Sequence, residues 1–277
     1  MSVTATPGFV AGGIACGIKE SGAPDLAIVA TEDRLPVAAA GVFTSNLAQA
    51  APVQVSRWHL TNGQAAAVVL SSGNANAATG EAGRRDAARM CELTGKGLGI
   101  ATDDILVCST GLIGIPMPMH ALEAGIPRLC TELAADRGDD AARAIMTTDT
   151  VMKQARAGTG FTVGGMAKGA AMLSPAMATM LAVLTTDAAL DPPVLQRALS
   201  RAVAGTFDCL SVDGCRSTND TVLVLANGRV GDVAEHDVTD AFTAVCGELA
   251  EMMARDAEGA TKYVEIYVQG ARSNADA

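Results

Sequence analysis

The clearest periodicity in the chain lies over residues 237–256, where Val238, Phe242, Val245, Leu249 and Met252 recur at helical spacing and predict one buried face. Leu195, Ala198, Leu199, Ala202 and Val203 form a second stripe, opened by Asp191 as N-cap and Pro192 at the first helical position. Residues 81–94 predict a third helix, with Ala87, Met90, Cys91 and Thr94 on one face and Gly95 and Gly97 as its stop. Residues 116–134 predict a helical region interrupted at Pro127, and residues 139–146 a short helix capped by Asp139 or Asp140.

Short apolar runs bounded by turn signals predict strands at 25–30, 37–44, 65–70, 105–108 and 221–226, with an alternating strand at 263–269. Ser109 to Leu112 predicts a turn after its strand, Thr147 to Thr150 a polar turn after its helix, and 71–80 a loop carrying Asn74 and Asn76. The central stretch, 164–187, runs from a glycine-rich turn through Lys168 into an uncharged run whose last part, 179–186, reads as one buried strand headed by Thr179. Alternating strands and helices place the chain in the α/β or α+β class, with helices covering packed sheets.

Composition narrows the function. At 277 residues the chain can bury a substantial core, but aromatics are only 3%, so packing relies on small side chains. A net charge of −10 argues against a nucleic-acid or anionic-membrane surface, and the uncharged runs at 35–56 and 169–186 hold too many polar groups for a lipid-facing helix. Cysteines at 16, 91, 108, 130, 209, 215 and 246 form no CxxC pair, which fits a reducing cytoplasm better than a disulfide framework or zinc site. The first residues, MSVTATPGFVAGG, lack the pattern of a secretory signal.

His59, His120 and His236 lie outside the polar motifs, which weakens any Ser-His-Asp or Cys-His reading. A β-branched residue at the head of a strand is ordinarily just packed there, and Thr179 would be no exception. It becomes a nucleophile if the bond after Ala178 is cut, because its own α-amine can then take the hydroxyl proton.

Five segments raise that second reading: KGAAMLSPAMATML (168–181), CSTGLIG (108–114), MTTDT (146–150), STNDT (217–221) and EGATK (258–262). Together, and in this order, they resemble the motifs of the ornithine acetyltransferase family, the bifunctional glutamate N-acetyltransferases of arginine biosynthesis. The resemblance implies a layered α-β-β-α sandwich like that of amino-terminal nucleophile hydrolases with a different strand order. It implies self-cleavage between Ala178 and Thr179 into parts 1–178 and 179–277 that stay associated and assemble further as a homo-oligomer. Thr179 would carry acetyl from N-acetylornithine to glutamate, with Thr110 and Gly111 as oxyanion hole and Thr147 or Thr148, Lys168 and Glu258 contacting substrate. No cofactor is implied, and acetyl-CoA stands as an alternative acetyl donor. The family continues through a DPNWGR-like segment to an Asn and a Ser or Thr that complete its substrate site; these are not in this sequence, which leaves a fragment, a shortened gene or a second polypeptide as explanations. A threonine-nucleophile amidohydrolase or aminopeptidase, and a metabolite-binding relative that never cleaves, are the alternative readings.

Overall fold

The computed structural model describes residues 3–172, 174, 180–273 and 276. Two sheets pack face to face between two layers of helix. The first sheet has the order β1 (Phe9–Ile14), β2 (Leu26–Thr31), β5 (Ala67–Asn74), β6 (Ile105–Leu112), with only β5 and β6 parallel. The second has the order β4 (Gln64–Ala65), β3 (Val37–Phe43), β10 (Thr221–Asp232), β9 (Leu181–Ala189), β8 (Val163–Lys168), β7 (Lys153–Ala157), with β9 and β10 parallel.

Strand alternation builds the layers. Val29, Val68, Leu70 and Leu106 point inward from the first sheet and meet Met166, Leu181, Val183, Leu223 and Leu225 of the second, forming the core between the sheets. The opposite faces are covered by helices. Ile28, Val69 and Val107 pack under α1 (Ala51–His59), α2 (Gly80–Leu98) and α3 (Met119–Cys130). Leu184, Val222 and Val224 pack under α5 (Pro192–Ala204) and α6 (Glu235–Arg255). This is the α-β-β-α sandwich. α4 (Gly138–Ala144) contributes Ala141, Ala142 and Ala144 to the inter-sheet core, and it lies so close to β1 that a Cβ on Gly13 would stand 2.1 Å from the Asp140 carbonyl oxygen.

Several expected boundaries moved. The pairing of β8 takes Gly164 and Gly165 out of the expected turn and into a strand, and at Gly165 the missing side chain makes room for Val245 and Leu249 of helix α6. Ser109 to Leu112 continue β6 instead of turning, held by the parallel ladder to β5. Gly95 and Gly97 lie inside α2, which stops only at Gly99 in the left-handed conformation; at Gly97 the bare backbone admits Cys130 of α3. α3 runs through Pro127, and α4 has neither aspartate as its cap, both lying in its first turn. Met253, not Met252, completes the buried face of α6. Residues 263–269 form no strand: Ile266 and Tyr267 are exposed, and no neighbouring strand supplies the ladder that alternation alone cannot provide. Among the described residues no helix is long and apolar enough to cross a membrane.

Candidate active site

One end of the sandwich gathers the residues singled out above. Parallel β9 and β10 both begin there, at Leu181 and Thr221, antiparallel β8 ends there at Lys168, which pairs with Leu181, and on the other sheet β5 and β6 both end there. Polar residues at strand ends are therefore brought together across the two sheets.

Thr110 is buried at the end of β6, and the Lys168 ammonium donates to its hydroxyl oxygen at 3.4 Å. Gly111, the next residue, is exposed with φ +132°, and a Cβ on it would stand 2.3 Å from the carbonyl carbon of Gly73. Only glycine fits that combination of backbone angle and close approach. A buried hydroxyl is thus followed directly by an exposed glycine, and a hydroxyl with a neighbouring main-chain N–H is the kind of donor pair an oxyanion site uses.

Lys168 is only 3% exposed. Burial pushes its pKa below the ordinary lysine value, with Lys153 and Lys19 adding to the effect and Asp149 and Asp220 opposing it. Asp149 organises the surrounding backbone. Its Oδ1 accepts from Lys153 and from the Gly169 N–H, each at 2.7 Å, its Oδ2 accepts from the Thr147 N–H at 3.0 Å, and the Lys168 ammonium stands 3.9 Å from Oδ2. Burial alone would raise the Asp149 carboxyl, but Lys168 and Lys153 together with these hydrogen bonds hold it below the usual range. Lys153 is fully buried and its second partner is Asp256, at 2.5 Å, which also accepts from the Thr150 N–H. Lys19 completes the ring by donating to the Met146 carbonyl at 2.7 Å, just ahead of Thr147. Thr147 is half-buried and Thr148 exposed at this edge.

The head of β9 is tied to the start of β10. The Met180 N–H donates to Asp220 Oδ1 at 2.9 Å, and the Met180 carbonyl accepts from the Thr221 N–H at 3.2 Å. Asn219 reaches the other sheet, donating to the carbonyls of Ala75 at 2.6 Å and Ser109 at 2.8 Å. Ala178 and Thr179 lie outside the described residues. Glu258 is exposed, and its main-chain N–H donates to the Ala170 carbonyl at 2.6 Å, which docks the EGATK turn beside Gly169.

Asn74, at the end of β5, and Asn76 spend their side-chain donors on main-chain carbonyls of neighbouring segments. Asn74 donates to the Pro116 carbonyl and Asn76 to the Gly83 carbonyl, at 3.0 and 2.8 Å. His59 is buried with its Nδ1 2.6 Å from the Ile105 carbonyl, a packing role. A groove of about 840 Å³ lined by Gly205, Leu210, Ala254, Tyr263 and Tyr267 contains none of the residues just described.

Sequence reasoning assigned no role to Asp149, Lys153, Asp220, Asp256 or Lys19. The first and third stood inside the quoted motifs MTTDT and STNDT, and an aspartate immediately before an apolar strand was the available signal for Asp220.

Comparison with known proteins places this geometry. The family model described as the ArgJ family matches residues 10–277. The arginine biosynthesis bifunctional protein ArgJ of Thermobifida fusca is 51% identical over 279 residues, a match that takes in 100% of this chain and 73% of the relative. The crystal structure of the Mycobacterium tuberculosis ornithine acetyltransferase, solved in complex with ornithine, superposes with a TM-score of 0.61 at 46% identity, over 63% of this chain and 94% of that one. An L-aminopeptidase D-Ala-esterase/amidase from Ochrobactrum anthropi, described as a variant of the Ntn hydrolase fold, superposes at 0.57 over 92% of this chain and 86% of that one, and at 15% identity it shares the fold alone. The sandwich, the motifs at its open end and a similarity that runs the length of this chain converge: the chain belongs to the ArgJ family.

Proposed function

We propose that the chain carries out the acetyl transfer of arginine biosynthesis, moving acetyl from N-acetylornithine to glutamate through an acetyl-Thr179 intermediate. The observation that carries this reading is the meeting of Thr110, Gly111, Lys168 and the Asp149 loop at the end of the sandwich where β9 begins, one residue beyond Met180. A specific overall similarity to bifunctional ArgJ proteins, against a fold-only likeness to an aminopeptidase, favours transfer over peptide hydrolysis.

Cleavage before Thr179 frees an α-amine whose reference pKa is about 8, so it can accept the hydroxyl proton near neutral pH. The Thr179 oxygen attacks the acetyl carbonyl, and the oxyanion that forms receives hydrogen bonds from the Thr110 hydroxyl and the Gly111 N–H. The Lys168 ammonium can only donate, so the Thr110 oxygen accepts its hydrogen bond and leaves its own hydrogen free to point at the oxyanion. Collapse expels ornithine, and the glutamate amine then removes the acetyl group by the same steps reversed. Lys168 supplies positive charge for a substrate carboxylate, Thr147 or Thr148 a neighbouring hydroxyl, and exposed Glu258 an anion for the substrate's cationic amine. The reaction calls for no cofactor, and acetyl-CoA stands as an alternative donor.

Cleavage need not separate the parts. β8 pairs with β9 through six residue pairs, and β3 with β10 through six, so strands from both sides of the cut share one sheet.

The test is to incubate the protein with N-acetylornithine and glutamate and follow products by mass spectrometry. Equal appearance of ornithine and N-acetylglutamate is the expected result. Ornithine and free acetate without N-acetylglutamate would put a hydrolase in its place.

A further inference from the structure

Asp220 immediately precedes β10, with its side chain wholly buried. Its carbonyl accepts from the Thr44 N–H at 2.9 Å, and its Oδ1 accepts from Met180 at the same distance. With Thr221 holding the Met180 carbonyl, the residue that follows Thr179 is clamped on both its amide and its carbonyl. The second carboxylate oxygen, Oδ2, is as deeply buried and receives no well-formed hydrogen bond among the described residues. A buried carboxylate oxygen without a partner is costly and therefore rare.

The groups that face this carboxylate are Lys168 from β8 and the Ser217 hydroxyl from the loop before β10, both lowering its pKa, and Asp208 from the turn after α5, raising it. Burial outweighs them and pushes the carboxyl up to about 7. Oδ2 thus lacks the full complement that would settle its charge. Met180, whose N–H lies 2.9 Å from Oδ1, is the chain neighbour of residue 179.

We infer that Asp220 is a positioning residue of the transfer centre: Oδ1 fixes Met180, and Oδ2 accepts a hydrogen bond from the Thr179 α-amine once the bond before it is cut. The inference rests on the proposed function and deepens it. During attack the Thr179 O–H bond breaks, the O–C bond to acetyl forms, and the proton passes to the α-amine. The resulting ammonium then stands beside the Asp220 carboxylate, and the same proton leaves with the ornithine amine when the C–N bond breaks. Asp220 itself exchanges no proton in this cycle. It favours the cation that exists only after attack, as the aspartate of a Ser-His-Asp triad favours its imidazolium.

The experiment compares wild type, Asp220→Asn and Asp220→Glu. Removing the negative charge makes the amine a weaker base, so the acid limb of kcat/KM should move about one unit to lower pH in D220N, with kcat down roughly ten- to a hundredfold and KM little changed. D220E should return the limb toward its wild-type position. A D220N enzyme that cuts itself and keeps the wild-type limb overturns the inference, whatever its rate.

If D220N folds without cutting, the wild-type protein gives the second reading. Cyanate labelling of the Thr179 α-amine across pH, read by mass, yields its pKa in the native and the denatured protein. Burial without a carboxylate partner lowers an amine's pKa; a native value at or above the denatured one is expected, and a lower one overturns the inference. Wild-type protein that shows no new α-amine removes the proposed function itself, which distinguishes that failure from this one.

Discussion

The Lys168 ammonium stands 3.4 Å from the Thr110 hydroxyl oxygen, joining the end of β8 in one sheet to the end of β6 in the other. Both side chains are buried, so the contact is little screened by solvent. Replacing Thr110 by Ala removes one donor of the proposed oxyanion hole and none of the proposed substrate contacts. Turnover should fall on the order of 10²- to 10³-fold, with KM changed only slightly. A rise in KM at constant kcat would assign Thr110 to binding instead.

Gly111 should tolerate no side chain. Gly111→Ala forces a non-glycine residue to φ +132° and drives a methyl group into the Gly73 backbone. Backbone strain of this kind costs about 1–3 kcal/mol before the clash is counted. Thermal melting should show the loss of stability, and the variant should be inactive even where it remains folded.

Lys153, itself fully buried, links buried Asp149 to partly buried Asp256. Lys153→Met leaves two carboxylates short of their cation, and breaking a buried pair from one side costs about 3–5 kcal/mol. Asp149 and Asp256 titrate below the ordinary carboxylate range when folded. Their stabilisation is therefore fully present above the unfolded-state pKa near 4 and is lost as pH falls through the lower folded value. The penalty of K153M, measured by denaturant unfolding, should be large at pH 7 and shrink below pH 4.

Asp220 has the opposite sign. Its folded pKa, about 7, lies above the unfolded value of 3.8, so it costs stability increasingly as pH rises from 4 and the cost is complete above 7. Asp220→Asn should be more stable than wild type at pH 8, by roughly 4 kcal/mol at most from 1.36 kcal/mol per pH unit, and no more stable at pH 3.5. Gaining stability while losing activity is the behaviour of a residue kept for function.

The long helices were legible because an amphipathic stripe announces itself: the α5 stripe from Leu195 to Val203 is buried as read, and α6 departs from its reading by one methionine. Strands built from small residues were not. β1 reads FVAGGI and β8 reads VGGMAK, and glycine in either looks like a turn until a neighbouring strand or helix explains the missing side chains. The site was legible only through its motifs. Thr110, Lys168 and Thr147 stand 58 residues or less from one another in sequence, but nothing local in the chain brings them together; Asp149 does so, through bonds to Lys153, Gly169 and Thr147. Asp220 was invisible as a partner of Met180, because the contact spans 40 residues and depends on two strands starting side by side.

The central claim is that Thr179 becomes a chain terminus. Intact-mass analysis of the purified wild type beside Thr179→Ala tests it most directly. The account predicts that the 28.0 kDa chain divides into pieces of 178 and 99 residues, roughly 18 and 10 kDa, in the wild type alone. A folded wild-type chain that stays at full mass would contradict it.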